Sequence, residues 1–135
     1  MNAGSVFLDT NVLLYLLSSD TAKADRAEAL IAGGGVISVQ VLNEFVSVAS
    51  RKLSMSLPEI REVLSAVRAS CLVEPVSVDT HELALDLTER FNLSFYDGLI
   101  VAAAALAKCR LLYTEDMQEG QTIENVTIRN PFVGS

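Results

Sequence analysis

Short apolar runs alternate with helical segments along the whole chain. This pattern limits the possible folds more than any other feature of the sequence. This order is typical of an α/β domain whose strands form a mainly parallel sheet. The predicted helices cover residues 11–17, 22–32, 39–53, 58–69, 79–91 and 95–108. The predicted strands, about five in number, are Ser5–Asp9, Val36–Ser38, Cys71–Val76, Arg110–Thr114 and Val126–Arg129.

Several predicted helices are bounded by residues that favour helix ends. Ser38 and Asp79 are the predicted N-caps of the third and fifth helices, because their side chains can accept a backbone N–H. Pro58 is predicted to begin the fourth helix, where its missing N–H costs nothing. Three glycines from Gly33 onward are predicted to end the second helix.

The length and composition predict one globular domain that spans residues 1–135. Half of the residues are hydrophobic and the mean hydropathy is +0.37, which suffices for a core without disulfides or a structural metal. No apolar run is long enough to cross a bilayer, and the first ten residues lack the basic segment of a signal peptide. Cys71 and Cys109 have no CxxC spacing, so we expect two buried, reduced thiols in a cytoplasmic protein.

Two acidic residues follow predicted strands. Asp9 ends the first strand, directly after the apolar residues Val6–Leu8, and Asp116 comes shortly after the fourth strand. Both also have a structural interpretation, since Asp9 and Asn11 could cap the next helix and Asp116 could belong to a turn. Taken alone, Asp9 favours neither interpretation, whereas Asp116 favours the structural one.

Two further acids lie on predicted helices. Glu44 comes three residues after one apolar position and four before another, which places it at the edge of the inward-facing stripe. Asp97 is in line with apolar residues three, four and seven positions further on, where an unpaired carboxylate is costly. Glu44 could instead extend to water, and Ser94 with Asp97 has the form of a capping box.

The four acids are expected to meet at one edge of the sheet. The carboxyl ends of parallel strands share that edge, and ligands of open α/β sheets bind in the crevice outside it. Crowded carboxylates repel one another, and an all-oxygen set suits Mg²⁺ or Mn²⁺ better than zinc. We therefore predict a Mg²⁺ or Mn²⁺ site formed by Asp9, Glu44, Asp97 and Asp116. The single histidine, His81, is expected at the surface without a catalytic role.

A metal site built from carboxylates suits phosphodiester hydrolysis, since the metal activates water and stabilises charge on the phosphoryl group. The sequence has no G-x-S-x-G motif, no Ser/His/Asp set and no P-loop, so we expect no covalent nucleophile. Thr10 and Thr114 each lie within two residues of a predicted ligand. Their hydroxyls could orient a carboxylate or a water molecule, or merely cap helices, and the predicted site includes both.

Four segments, in their order along the chain, resemble PIN domains. The match covers essentially the whole chain, and the ordered set is specific although no single segment is. The small bacterial and archaeal PIN proteins that act as VapC-type toxins in toxin–antitoxin pairs are the most similar members. The segments are Phe7–Val12, Asn43–Glu44, Ser94–Ile100 and Leu112–Asp116.

This resemblance implies a three-layer α/β/α, PIN-like fold and Mg²⁺- or Mn²⁺-dependent endoribonuclease activity on structured RNA. Thr10 matches the family's small hydroxyl residue and Asn11 matches the Asn of its motif. Glu115 and Glu119 are close enough in sequence to replace the fourth acid. The acids that match the family's acidic positions are Asp9, Glu44, Asp97 and Asp116.

The resemblance also implies partners for the chain. Toxins of this kind usually form dimers and are held inactive by a small antitoxin bound in a groove. We therefore expect an RNA substrate, an antitoxin partner and a homodimer, and no association with membranes. The apolar composition is consistent with such surfaces.

The net charge of −7, from 10 basic and 17 acidic residues, argues against broad attraction to nucleic acid. Four of those acids belong to the predicted site, where a bound metal would offset them. Arg51 and Lys52 lie one to two turns beyond Glu44 and could meet phosphate. A solvated helix end is the plainer interpretation of this basic pair.

Two functions are alternatives to a nuclease. A phosphatase of the haloacid-dehalogenase type needs a second Asp two residues after the first as a general acid, and Asn11 occupies that position. A catalytically inactive PIN-like module that binds RNA or protein is compatible with the same residues and is the alternative. It would be favoured if metal changed neither stability nor activity.

Overall fold

The computed structural model describes residues 5–132, in which pairs of helices separate the first four strands and the last three strands follow one another. The strands are β1 (Val6–Leu8), β2 (Val36–Ser38), β3 (Leu72–Glu74), β4 (Leu111–Tyr113), β5 (Thr122–Ile123) and β6 (Val126–Arg129). The α-helices are α1 (Thr10–Leu14), α2 (Thr21–Ala32), α3 (Val39–Lys52), α4 (Leu57–Ser70), α5 (Val78–Phe91) and α6 (Phe95–Leu106), and a 3₁₀ turn, Tyr15–Leu17, continues α1.

The strands form one sheet in the order β3-β2-β1-β4-β6-β5. The pairs β1–β2, β1–β4, β2–β3 and β4–β6 are parallel, and β5 pairs with β6 in the antiparallel sense. The helices flank this central sheet, so the predicted three-layer α/β/α fold with a mainly parallel sheet is confirmed. The chain moves outward in one direction from β1 to β3 and in the other from β4, which puts a topological switch point between β1 and β4.

The predicted number of strands was wrong, because the sheet has six strands instead of about five. The missed strand, β5, has two residues, which is too short to show a recognisable alternation. It is joined to β6 by Glu124 and Asn125, whose φ values of 52° and 68° are left-handed. Two left-handed residues form the turn that matches the twist of a hairpin.

Two predicted helix starts were also wrong. The N-cap of α5 is Ser77, whose hydroxyl accepts the Thr80 N–H at 3.3 Å, and Asp79 lies in the first turn, where its charge favours the helix N-terminus. The fourth helix begins at Leu57, one residue before Pro58, because Ser56 caps it. Most other boundaries agree with the predictions to within two residues once the 3₁₀ turn is counted with α1.

Helix α6 carries much of the core, since every residue from Gly98 to Ala104 is buried. It packs closely against α5, and a Cβ placed on Gly98 would lie 2.6 Å from the Thr88 hydroxyl oxygen and 2.9 Å from the Ala84 carbonyl oxygen. The absence of a side chain at Gly98 therefore sets the approach of these two helices. This approach fixes the first turn of α6 beside the sheet.

The structure also bears on the two cysteines and on membrane-spanning helices. Cys71 and Cys109 are both buried, as predicted. No helix within residues 5–132 is both long enough and apolar enough to span a bilayer.

Candidate active site

The predicted site residues lie at the carboxyl edge of the two central strands. Asp9 follows β1 and Thr114 follows β4, and both are buried. The Asp9 N–H donates to the Tyr113 carbonyl at 3.1 Å, which extends the pairing of β1 with β4 up to the site. The strand ends at the switch point therefore bring together two parts of the chain that lie 105 positions apart.

Thr10 links the carboxylates of Asp9 and Glu44. Its backbone N–H donates to Asp9 Oδ1 at 2.6 Å, and its hydroxyl donates to Glu44 Oε1 at 2.6 Å. Asp9 is the N-cap of α1, so the capping interpretation and the site interpretation describe the same residue. The second carboxylate oxygen of Asp9 accepts the Thr114 hydroxyl at 2.8 Å.

Asn11 connects the other side of the site to Asp116. The buried Asn11 amide donates to the Thr114 hydroxyl oxygen and to Asp116 Oδ2, at 3.0 Å each. The Asp116 N–H also donates to that hydroxyl oxygen, at 3.1 Å. Thr114 is thus the common partner of Asp9, Asn11 and Asp116. Asn11 was not among the predicted site residues, although its place two residues after Asp9 was a signal.

The two acids considered as substitutes for Asp116 point elsewhere. Both Glu115 carboxylate oxygens accept the Tyr15 hydroxyl at 2.9 Å. Glu119 accepts the Asn130 N–H at 2.6 Å, outside the cluster formed by the predicted site residues. Of these three acids, Asp116 is the one that Asn11 holds toward Asp9.

Glu44 and Asp97 reach the site from two different helices. Glu44 is half-buried on α3, and its Oε2 accepts the Gln40 side-chain N–H at 3.2 Å. Asp97 is half-buried in the first turn of α6, and its backbone N–H donates to the Ser94 hydroxyl at 3.1 Å. Ser94 is the N-cap of α6, so Asp97 also serves helix capping.

The electrostatics of these acids join them into one cluster. Burial raises the pKa of Asp9 from 3.8 to about 7, against the lowering effect of its bonds to Thr10 and Thr114. The charges of Glu44 and Asp116 raise it further. Burial also raises the pKa of Asp97, the Ser94 side chain lowers it, and Asp116 and Glu44 raise it again.

A divalent cation fits this cluster on the chemistry of its donors. The carboxylates are hard oxygen donors with no His or Cys among them. A cation would offset the burial and, to a smaller extent, the repulsion that raise the pKa of Asp9 and Asp97. Between Ser5 and Phe132, no three His, Cys, Asp or Glu side chains are already arranged to hold an ion. Mg²⁺ commonly keeps several waters, so some of these carboxylates would hold it through water and not directly.

We expect Asp9→Asn to be more stable than the wild type at pH 8 when no metal is present. The stability contributed by the protonated Asp9 is complete below pH 4 and is lost as the pH rises to about 7. At about 1.4 kcal/mol per pKa unit, burying the charge costs roughly 4 kcal/mol with its hydrogen bonds included. The new amide N–H would face a Thr114 oxygen that already accepts from Asn11 and Asp116, which costs about 2 kcal/mol. A net gain of about 2 kcal/mol is therefore expected by urea unfolding.

The pH profile of Asp9→Asn provides the check on this cause. Its free energy of unfolding should fall less between pH 4 and pH 7 than that of the wild type. Asp25→Asn, which changes an exposed acid of α2, should keep the wild-type profile. Equal profiles for Asp9→Asn and the wild type would contradict the assigned burial cost.

Comparisons with known proteins bear on the family and the fold. Residues 6–118 match the profile of the PIN domain. A comparison with curated proteins gives no match. Among solved structures, a toxin–antitoxin complex from Klebsiella pneumoniae is similar with a TM-score of 0.71 and 24% identity, over 95% of this chain and 98% of that one.

Two other solved structures have the same fold. The Mycobacterium tuberculosis toxin VapC20, described as cleaving the sarcin–ricin loop, has a TM-score of 0.67 and 24% identity, over 83% of this chain and 90% of that one. VapBC2 from Rickettsia felis, bound to a DNA fragment from its promoter, has a TM-score of 0.67 and 20% identity, over 93% and 97%. At these identities the similarity shows the fold.

Proposed function

Because the chain belongs to the PIN domain family, we propose that it is a metal-dependent endoribonuclease that hydrolyses RNA phosphodiester bonds. The observation that carries this proposal is the cluster of acids at the switch point between β1 and β4. There Asp9 is buried and its pKa is raised to about 7 beside Glu44 and Asp116. A fold that buries a carboxylate among other carboxylates has an electrostatic cost that a bound cation would offset.

The residues of the cluster divide into ligands and residues that hold them. Asp9, Glu44, Asp97 and Asp116 would hold Mg²⁺ or Mn²⁺. When bound, the metal would activate water and stabilise the charge that develops on the phosphoryl oxygens.

The neighbouring polar side chains fix the orientation of those carboxylates. Thr10 donates to both Asp9 and Glu44, through its backbone N–H and its hydroxyl. The Thr114 hydroxyl accepts the side-chain N–H of Asn11 and donates to Asp9. Asn11 also fixes Asp116. Oriented in this way, the carboxylates lose little conformational freedom when a metal and a phosphate arrive.

We further propose that the protein is the toxin of a toxin–antitoxin pair, acts in the cytoplasm and forms a homodimer. The support is the similarity in fold to a toxin–antitoxin complex, to a sarcin–ricin-loop-cleaving toxin and to VapBC2. An antitoxin protein would then be the partner that restrains the nuclease. The substrate would be a structured RNA.

Cleavage of structured RNAs with and without metal tests the proposed function. The pure protein is expected to cut at least one RNA of a panel that includes a sarcin–ricin-loop hairpin when Mg²⁺ or Mn²⁺ is present. EDTA should abolish cleavage, and excess Mg²⁺ added afterwards should restore it. In the absence of RNA, a metal concentration of 100 times Kd should stabilise the protein by about 2.7 kcal/mol, seen as a higher Tm.

Two outcomes would contradict the proposal. Cleavage that continues in EDTA would mean that the activity does not depend on a metal at the acid cluster, or that it comes from a contaminating nuclease. No cleavage, together with a Tm that does not respond to metal, would favour the inactive module that binds RNA or protein.

A further inference from the structure

The residue directly before Asp97 is an aromatic whose side chain is exposed to solvent. All eight Phe and Tyr residues of the chain lie within residues 5–132, and Tyr96 is the only one that is exposed, at 61%. It lies in the first turn of α6, directly before Asp97. A solitary exposed aromatic needs no explanation in general, but this one adjoins a proposed ligand.

The ring of Tyr96 is supported from within the protein. Phe95 contacts it edge to face, with ring centroids 5.9 Å apart and an angle of 66°. Phe95 packs against the core and meets the His81 ring on its other side, at 5.6 Å. Both aromatic contacts fall in the range that is favourable for T-shaped pairs. Tyr96 is therefore an accessible ring that is supported by Phe95 and lies one residue before Asp97.

The negative charge of the chain disfavours electrostatic binding of RNA near the acid cluster. The net charge is −7, and the acids of the cluster repel phosphate until a cation is bound. Arg51, the basic residue nearest to Glu44 in sequence on α3, directs its guanidinium to the Ser47 hydroxyl at 2.7 Å. Stacking of a base on an aromatic ring is an uncharged contribution to binding that this repulsion does not weaken.

We propose that Tyr96 is a positioning residue on which an unpaired base of the RNA stacks, next to the phosphate at the acid cluster. The inference rests on the proposed ribonuclease function. Sequence-tolerant stacking of splayed bases on aromatic side chains is common in the recognition of RNA loops. The RNA that is cut would present an unpaired nucleotide at the scissile position, within a loop or bulge of a structured molecule.

The stacking can be observed directly, because the chain contains no tryptophan. Tyr96→Trp places the only indole of the protein at this position. A single-stranded RNA oligonucleotide, titrated in Ca²⁺ to slow hydrolysis, is expected to quench its fluorescence, and the same oligonucleotide with abasic sites is not. Leu72→Trp, on the edge strand β3 and 59% exposed, should be quenched by neither.

Kinetics provide the second readout. Tyr96→Ala is expected to lower kcat/KM for a loop-containing RNA by about 10- to 100-fold, the usual effect of removing one stacking ring. Tyr96→Phe keeps the ring and should stay close to the wild type. Because Tyr96 is largely exposed, these variants should stay folded, and Tyr96→Ala should show only the small fall in Tm that the lost contact with Phe95 causes.

The outcomes separate this inference from the proposed function. Equal quenching of Tyr96→Trp by the two oligonucleotides, or no quenching, would overturn the stacking role. If the wild type cleaves RNA and Tyr96→Ala has the same kcat/KM, the stacking role is also overturned, but the proposed nuclease function stands. If the wild type cuts no RNA, the fluorescence titration still decides, and quenching by the base-bearing oligonucleotide alone supports the role of Tyr96.

Discussion

Asp97→Asn is expected to lower RNA cleavage by about 10³-fold while the protein keeps its fold. The substitution preserves the size of the side chain and an oxygen that can accept the Ser94 hydroxyl, but it removes the negative charge. Burial and the charges of Asp116 and Glu44 already raise the pKa of Asp97, so a neutral residue at this position should not destabilise the metal-free protein. The measurement is kcat/KM on a structured RNA together with Tm.

The matched control is Asp79→Asn, which changes an exposed acid in the first turn of another helix, α5. It should cut RNA as fast as the wild type. Because the lost charge weakens metal binding, Asp97→Asn should also need a higher Mg²⁺ concentration for its residual activity. Full cleavage by Asp97→Asn at ordinary Mg²⁺ would remove Asp97 from the site.

Gly98→Ala is expected to destabilise the protein by about 3 kcal/mol, measured by urea unfolding. Alanine normally favours a helix over glycine by about 1 kcal/mol, so the sign of the effect comes from packing alone. The added Cβ would lie 2.6 Å from the Thr88 hydroxyl oxygen and 2.9 Å from the Ala84 carbonyl oxygen. Relief of the second contact requires the backbones of α5 and α6 to separate.

Two comparisons test the cause of that loss. Gly33→Ala should be nearly neutral, because a Cβ there meets its nearest atom at 3.4 Å. Thr88→Ala removes a buried hydroxyl oxygen that has no hydrogen-bond partner, so it should recover part of the stability lost in Gly98→Ala. If the double variant is no more stable than Gly98→Ala, the clash with Thr88 is not the cause.

Simple rules about parallel sheets predicted the place of the acids. Strand ends share one edge, and on that basis Asp9 and Asp116 are predicted to lie close together. In the structure Thr114 donates to Asp9, and Asn11, two residues after Asp9, donates to Asp116. Helical periodicity likewise predicted a boundary position for Glu44, which is half-buried. These inferences succeeded because each depends on an element's direction or on a period of three to four residues.

The details that depend on distant contacts could not be predicted in this way. The amide of Asn11 bonds to residues 103 and 105 positions away, and no local pattern reports such a pairing. The same is true of Gly98, whose role depends on Thr88 and Ala84 across a helix pair. The two-residue strand β5 forms because it pairs with β6, since two residues alone have too little strand propensity to be recognised in the sequence.

The adjacency of β1 and β4 has a consequence for a chain that is still being synthesised. A ribosome makes Asp9 and Glu44 early, whereas Thr114 and Asp116 are added about a hundred residues after Asp9. Until the last of these residues leaves the exit tunnel, β1 can pair with β2 but not with β4, and Asp9 lacks the Thr114 hydroxyl that holds it. A nascent chain that does not yet present residues 114–116 therefore has no assembled cluster, because the partners that hold Asp9 and Asn11 are missing.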